Sequence, residues 1–380
     1  MKRVIYLLPV FLILALLMGE AAAKDKVESS IICSGCHKQI FLTWSNSIHA
    51  NSIREPIFNS SYMQAYFETK GKAKQICLKC HAPSAQINGD YDMETAISKE
   101  GVTCDFCHTM KSVSEKGGNF IPSMSSGNTK FGSLKGVSSP GHEVKYSDLH
   151  LSALLCATCH QYRNEKGLDV LNTYEEWKAS PYNRKEAGKQ CQDCHMSPVE
   201  GKIVPPEVKE IKEGYFNSHN VSGGHSVHQL EKAVSIAVKE IKREGSSVSV
   251  NLGVTNTGSG HAIPTGIPTR KVVFTLILKN DGKELFKREK IYERAVGSED
   301  GTAMDRESDI FLKGAKVLSD NRIKPLETRE ETFNFTIPPE MPVSAYAKVE
   351  YFYRTATIQP IEMIVPMSDI QFPIDPVPQK

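Results

Sequence analysis

Cys33-Ser34-Gly35-Cys36-His37 is the first of five Cys-x-x-Cys-His motifs in this chain. The other four run from Cys77 to His81, from Cys104 to His108, from Cys156 to His160 and from Cys191 to His195. The chain has 10 cysteines, and these motifs use all of them. In such a motif the two cysteine sulfurs form thioethers with one haem, and the adjacent histidine binds its iron. The sequence therefore predicts five covalently attached c-type haems.

The motifs define the first set of candidate site residues. The haem-attaching cysteines are Cys33, Cys36, Cys77, Cys80, Cys104, Cys107, Cys156, Cys159, Cys191 and Cys194. The histidines that bind the irons on the proximal side are His37, His81, His108, His160 and His195. No cysteine is left over for a disulfide, a zinc site or a lipid anchor.

Histidines outside the motifs are candidates for the opposite, distal side of each iron. The candidates are His49, His142, His150, His219, His225 and His261, with His228 a weaker choice. Five irons need at most five such ligands for bis-histidine coordination. Ile40, Phe41, Trp44 and Ile48 fall on helical spacing and predict one helix that ends at His49. The sequence does not decide which of these histidines binds which haem iron.

The position of His49 does allow one inference. It lies 12 residues beyond His37, about 18 Å along a helix, so we expect it to bind the iron of a neighbouring haem.

The segment from Cys33 to His195 has little chain for each haem, so the haems themselves should form much of its core. We expect short helices, long loops and little sheet there. Residues 112–140, which are rich in glycine and serine, read as one such loop covering the haems.

The N-terminus resembles a secretory signal. Lys2 and Arg3 precede an apolar stretch over residues 4–19, and Ala21-Ala22-Ala23 offers a cleavage site. The stretch is shorter than the roughly 20 residues of a spanning helix. We expect residues 1–23 to be removed, leaving an exported, periplasmic or extracellular protein with no membrane span.

The formal net charge of +2 gives no basic surplus for nucleic acid and no charge block for a membrane surface. The expected partners are other redox proteins, which would meet this chain over small, transient interfaces.

The pattern changes near residue 231. Apolar residues then alternate with polar ones, as in Val248, Val250, Leu252 and Val254, and Asn280-Asp281-Gly282 is a strong hairpin signal. We therefore predict a mixed fold: a pentahaem cytochrome domain of helices and loops over residues 24–230, then an all-β, immunoglobulin-like sandwich over residues 231–380. The sandwich would serve for docking or assembly, or would cap the terminal haems.

Several motifs resemble one family. Trp44-Ser45-Asn46-Ser47-Ile48-His49 after the first haem motif, and Glu100-Gly101-Val102-Thr103 before the third, resemble the signatures of multihaem cytochromes related to the nitrifiers' tetrahaem electron carrier and to hydroxylamine oxidoreductase. Gly260-His261-Ala262-Ile263-Pro264-Thr265-Gly266 is similar to a loop that opens the appended sandwich in that family. The resemblance implies electron transfer through closely packed haems.

Departures from that family keep other functions open. The family's large oxidoreductases carry eight haems, and Tyr182 stands where the motif after the first haem has His49. The leading hypothesis is a non-catalytic electron carrier with mainly bis-histidine haems. The alternatives are an oxidoreductase acting on a small nitrogen or sulfur compound at one five-coordinate haem, and a subunit of a homo-oligomer or extracellular cytochrome filament.

Overall fold

The computed structural model describes residues 27–125, 127–184, 186, 188–208, 214–354 and 362–377. Short helices dominate the first part of the chain. They are α1 Ser30–Ser34, α2 Lys38–Ser45, α3 Ile48–Asn51, α4 Pro56–Glu68, α5 Ala73–His81, α6 Pro83–Asn88, α7 Cys104–His108, α8 Leu154–His160, α9 Thr173–Lys178, α10 Cys191–His195, α11 Val227–Leu230 and α12 Glu307–Lys313, with 3-10 helices at Ile97–Lys99 and Asp148–Leu151.

Strands are short before residue 231 and long after it. They are β1 Met110–Lys116, β2 Asn119–Met124, β3 Thr129–Gly132, β4 Glu143–Tyr146, β5 Tyr162–Arg163, β6 Asp169–Leu171, β7 Pro198–Glu200, β8 Tyr215–Asn217, β9 Val234–Glu244, β10 Ser247–Asn256, β11 Arg270–Asn280, β12 Lys283–Gly297, β13 Ala303–Met304, β14 Lys316–Asp320, β15 Thr328–Thr336, β16 Val343–Arg354 and β17 Glu362–Ile374. The predicted mixed class is confirmed.

The C-terminal part consists of two packed antiparallel sheets. One has the order β15-β10-β9, and the other has the order β13-β12-β11-β16-β17 with β14 also paired to β12. The alternating side chains of β10 pack against Phe274 and its neighbours on β11 in one buried cluster. The period-2 pattern in the sequence is thus the inward face of a sheet.

The hairpin predicted at residues 280–282 joins β11 to β12. Asp281 and Gly282 both have positive φ, 47° and 79°, as a tight two-residue turn requires. The strand after it, β12, carries many charged residues on an exposed face, so the hairpin signal rather than apolar alternation indicated it.

The expectation of a featureless loop over residues 112–140 was wrong. β1 and β2 form an antiparallel hairpin there, with Lys116 opposite Asn119. Gly117 and Gly118 make its turn with φ of 59° and 77°. Two adjacent glycines are a turn signal, which the glycine- and serine-rich composition obscured.

The single helix expected to end at His49 is two helices. α2 ends at Ser45, and the Ser47 side chain accepts a hydrogen bond from the Ala50 backbone N–H at 3.1 Å to begin α3. A serine at this position favours a new helix start because it satisfies a free backbone donor. His49 therefore lies on a separate short helix.

An ion-pair cluster joins the helical part to the sheets. Arg322 donates to Glu176 of α9 at 2.7 Å and to Asp320 at 2.8 Å, and the Arg322 and Glu176 side chains are both buried. Glu176 also accepts from the Thr265 hydroxyl at 2.7 Å. The loop at residues 260–266 is thereby fastened to α9.

Within the described ranges, no helix is long and apolar enough to cross a membrane. The predicted signal peptide, residues 1–23, lies outside those ranges.

Candidate functional site

One continuous cavity of about 1680 Å³ occupies the centre of the helical part and extends to the sheets. All ten cysteines and all eleven histidines selected from the sequence line it. Residues far apart in the chain therefore face a common space, and that space has room for large apolar groups.

The motifs lie on short helices. Four of the five end a helix at their histidine: those on α5, α7, α8 and α10. The first is divided between α1 and α2, with His37 at the start of α2. In a helix, residues three and four apart share one face, so both cysteines and the histidine of a motif point the same way. This geometry suits two thioethers and one iron ligand of the same haem.

Four pairs of histidine rings are held at nearly equal distance. Ring centres are 6.2 Å apart in His37–His142 and His49–His160, and 6.3 Å apart in His108–His219 and His195–His261. A metal bound between two imidazoles, with bonds of about 2 Å and about 1.2 Å from each nitrogen to its ring centre, needs about 6.4 Å. The four pairs fit a six-coordinate haem iron.

Backbone carbonyls fix the orientation of many of these rings. The Nδ1 atoms lie 2.9 Å from Ile203 O in His37, 2.7 Å from Phe131 O in His108 and 2.5 Å from Ser222 O in His195. In the rings opposite, His219 Nδ1 lies 2.8 Å from Asn217 O, and His261 Nδ1 lies 3.0 Å from Ala262 O. An Nδ1–H that donates to a carbonyl leaves Nε2 free to bind a metal.

The cavity also keeps these imidazoles neutral. Burial lowers the pKa of His49 to about 4 and that of His160 to about 3. Burial likewise lowers the pKa of His219 to about 4. Only the neutral ring has a lone pair for iron, so the ligating form is present well below neutral pH.

His81 is placed differently from the other motif histidines. Its ring stacks on Phe58 with centres 3.6 Å apart, and no second histidine lies opposite it at the spacing of the four pairs, as far as the described residues extend. Its Nδ1 lies 3.1 Å from Ser52 O, so its Nε2 is oriented like those of the paired rings.

Two of the six distal candidates are not in these pairs. His150 stacks beside His108 at 5.4 Å, and its Nε2 donates to the Cys107 carbonyl at 3.0 Å. His225 lies near Arg270 and Glu55, whose charges act on it. Tyr182, which takes the place of a histidine in the second Trp-x-x-Ser repeat, donates to Thr257 O at 3.4 Å.

Cysteine thiols from different motifs touch one another. The thiol of Cys33 lies near that of Cys104, the thiol of Cys80 near that of Cys159, and the thiol of Cys156 near that of Cys191. Cys107 lies within electrostatic range of Cys156 and Cys159. The fourth motif thus adjoins the second, the third and the fifth.

Gly101 gives a test of how α3 is held. It has φ of +72°, and a Cβ there would overlap the His49 carbonyl oxygen and lie 2.8 Å from that of Ala50. We expect Gly101→Ala to displace His49 and to cost more than the roughly 1–2 kcal/mol of positive φ alone. Thermal unfolding and the low-spin iron signal of the haem-loaded protein would measure both effects.

Gly127→Ala is the matched control. Gly127 has φ of +82°, and a Cβ placed there would meet no atom within 4 Å, so only the backbone cost applies. Equal losses of stability in the two variants would show that the contact with α3 is unimportant.

Sequence reasoning missed three groups that shape this site. Phe58 covers His81, Glu176 holds the loop of His261, and Arg270 lies at the edge of the cavity next to the sheets. Arg270 had a visible signal, since it is a charged residue at the start of a strongly apolar strand.

Two comparisons with known proteins concern the motifs and the fold. Residues 32–109, which contain the first three motifs, match the family model described as cytochrome c554 and c-prime. The crystal structure of a penta-haem cytochrome c552 from Thermochromatium tepidum is similar over 92% of this chain and 99% of that chain, with 20% identity and a TM-score of 0.72.

The other structural similarities are too low to inform the fold or the function. A β-glucuronidase from Bacteroides uniformis matches over 38% of this chain and 13% of that chain, with 12% identity and a TM-score of only 0.18. No curated protein matches the chain. The five motifs, the family match over residues 32–109 and the shared fold are the features in which this chain resembles multihaem c-type cytochromes.

Proposed function

We propose that the protein carries electrons through five covalently attached haems and does so mainly without catalysis. The haems supply the redox centres. The observation that carries the proposal is the set of four histidine ring pairs at 6.2–6.3 Å. Two histidines on one iron leave no open coordination position, and this suits electron transfer rather than substrate chemistry.

The ring pairs also assign the distal ligands in this proposal. His142 serves the first motif, His219 the third, His49 the fourth and His261 the fifth. His49 thus belongs to a haem other than that of the adjacent His37, in line with the distance argument from the sequence. The carbonyls that accept from Nδ1 hold these rings in place and tune the iron potentials.

The thiol contacts support an order for the centres. Contacts between Cys33 and Cys104, Cys80 and Cys159, and Cys156 and Cys191 make neighbours of the first and third, second and fourth, and fourth and fifth haems. We infer that the fourth haem connects the others. Short edge distances matter because electron tunnelling falls exponentially with distance.

A second candidate function rests on His81. With Phe58 against its ring and no opposite histidine in the described residues, the second haem would be five-coordinate. An open iron could bind a small nitrogen or sulfur compound. The two functions are compatible if four haems deliver electrons to the one open centre.

Electron paramagnetic resonance on the oxidised, haem-loaded protein tests both functions. We expect five haems by pyridine haemochrome, four with low-spin signals and one with a high-spin signal from the second motif. A high-spin signal that nitrite or cyanide changes would support chemistry at His81.

Variants assign the signals. His142→Ala should add a second high-spin haem, whereas His228→Ala, outside the cavity lining, should add none. A parent protein with several high-spin haems would contradict the bis-histidine assignment.

We further propose that the protein is exported and that its partners are redox proteins which dock where haem edges approach the surface. The division into a haem domain over residues 24–230 and a sandwich over residues 231–380 belongs to the same proposal. Whether copies assemble into an oligomer or filament stays a prediction.

A further inference from the structure

Among the described residues, Arg270 is a half-buried cation that forms no ion pair. It begins β11 at the junction of the helical part and the sheets and lines the central cavity. Its Nη1 donates to the Thr265 carbonyl at 3.3 Å, while its Nε is buried and has no partner in the described structure. A buried guanidinium normally pairs with a carboxylate or phosphate because leaving it unpaired is costly.

Two tyrosines on the neighbouring strand add further donors. Tyr353 lies opposite Arg270 in the register of β16 and β11, and the Arg270 guanidinium is 5.5 Å from its ring centre. A Cβ on Gly224 would lie 3.1 Å from the Tyr351 hydroxyl and 3.9 Å from Arg270 Nη1, so both groups face the same glycine. Both tyrosine side chains are buried.

The carboxylate whose charge acts on Arg270 is already committed elsewhere. This carboxylate is Glu55, which caps α4, where its two oxygens accept from the backbone N–H groups of Ile57 at 3.0 Å and Phe58 at 2.8 Å. The Arg270 Nε–H therefore lacks an acceptor, and Tyr351 and Tyr353 lie beside it. An anion from outside the polypeptide would supply that acceptor.

We propose that Arg270, Tyr351 and Tyr353 form a binding site for a carboxylate-like oxyanion at the junction of the cavity and the sheets. The planar fork of an arginine matches two oxygens on one atom, as in a carboxylate or nitrite. The inference rests on the proposed haem content, because the site opens into the haem cavity.

Two sources can supply this chemistry. One is a propionate of a bound haem, and the fourth haem is near because the charge of Arg270 acts on His160. The other is a small diffusible oxyanion in the cavity, for which His225 would be a neighbour. In both cases the bound group is a carboxylate-like oxyanion.

The test compares Arg270→Gln with Arg288→Gln in the full, haem-loaded protein. Arg288 is an exposed arginine on β12 and serves as the control. Spectroelectrochemical titration gives the midpoint potential of each haem, and calorimetric titration with formate gives its dissociation constant. Haem count and low-spin signals are checked first, so that loss of haem is separated from loss of this site.

A propionate ligand predicts that Arg270→Gln lowers the potential of one haem, since losing a nearby positive charge favours the ferric form. Formate would then have no effect on the parent. A diffusible ligand predicts that formate binds the parent and that Arg270→Gln weakens its binding by about tenfold or more, as expected for a charge-assisted contact.

If Arg270→Gln and Arg288→Gln agree in every potential and in formate binding, the site does not exist. If the Arg270→Gln variant loses haem, the same potentials and formate binding are measured in Tyr351→Phe and Arg270→Lys to test the proposed site. Tyr351→Phe removes one donor and should give a smaller change in the same direction, whereas Arg270→Lys keeps the charge and should restore much of the parent behaviour. Parent-like values in Tyr351→Phe would also count against the proposal.

Discussion

Replacing Cys156 and Cys159 with alanine is expected to remove one haem and to divide the electron route. Pyridine haemochrome should fall from five haems to four. A sub-stoichiometric pulse of reductant, which should equilibrate over the parent protein in one fast phase, should show an additional slow phase in the variant.

The reason is the position of the fourth motif. Its thiols touch Cys80 of the second motif and Cys191 of the fifth, and Cys107 of the third lies close by. Without the fourth haem, the second haem and the fifth haem would each be separated from the other haems by the width of one haem. Tunnelling over that added distance is slow.

The control is Cys191→Ala with Cys194→Ala. It also removes one haem, but the fifth motif touches only the fourth among the thiol contacts of the described residues. Fast equilibration over the remaining four haems is therefore expected. Identical kinetics in the two double variants would reject the fourth haem as the connecting centre.

Glu176→Ala is expected to destabilise the protein by about 1–3 kcal/mol and to convert the fifth haem partly to high spin, because buried donors lose their acceptor while Arg322 keeps its ion pair with Asp320. Urea unfolding followed by far-UV circular dichroism measures the first effect. Electron paramagnetic resonance measures the second.

Three contacts meet at this carboxylate. It accepts from Arg322 at 2.7 Å, from the Thr265 hydroxyl at 2.7 Å and from the Ala262 backbone N–H at 3.2 Å. The Arg322 and Glu176 side chains are only 7% and 9% exposed, so water cannot replace the lost partner. Ala262 and Thr265 belong to the loop at residues 260–266, which holds His261 opposite His195. Without Glu176 this loop would be held less firmly.

The adjacent Glu175 provides the control. It pairs with Lys178 at 2.9 Å, but both side chains are exposed, at 40% and 47%. Exposed pairs contribute about 0–1 kcal/mol, so Glu175→Ala should change neither stability nor spin state appreciably. Similar losses in the two variants would mean that helix α9 itself, rather than the buried carboxylate, is responsible.

The strongest local signals in the sequence led to the right local structure. Apolar alternation indicated β10, and Asn280-Asp281-Gly282 indicated the turn between β11 and β12. These signals work because side-chain period and turn conformation depend on a few adjacent residues. The adjacent Gly117 and Gly118 carried a similar signal inside a stretch whose composition predicted a loop.

The prediction of one helix up to His49 was wrong because it overlooked a helix cap. The apolar spacing continues across Ser47, but the serine caps a new helix and breaks the old one. Likewise, the hairpin signal was the only indication of β12, because the first half of this strand is mostly exposed and its buried alternation is confined to Tyr292, Arg294 and Val296.

The sequence alone led to the prediction of covalent haem attachment, since each Cys-x-x-Cys-His motif is complete within five residues and the five motifs use all ten cysteines. It could not pair the distal histidines. His142 faces His37 across 105 positions of chain, and His261 faces His195 only because Glu176 and Arg322 fasten its loop. Such pairings depend on long-range packing, and so does the different setting of His81 beside Phe58. The tertiary structure decided which histidine rings face each other in pairs, and it set the ring of His81 against Phe58 instead.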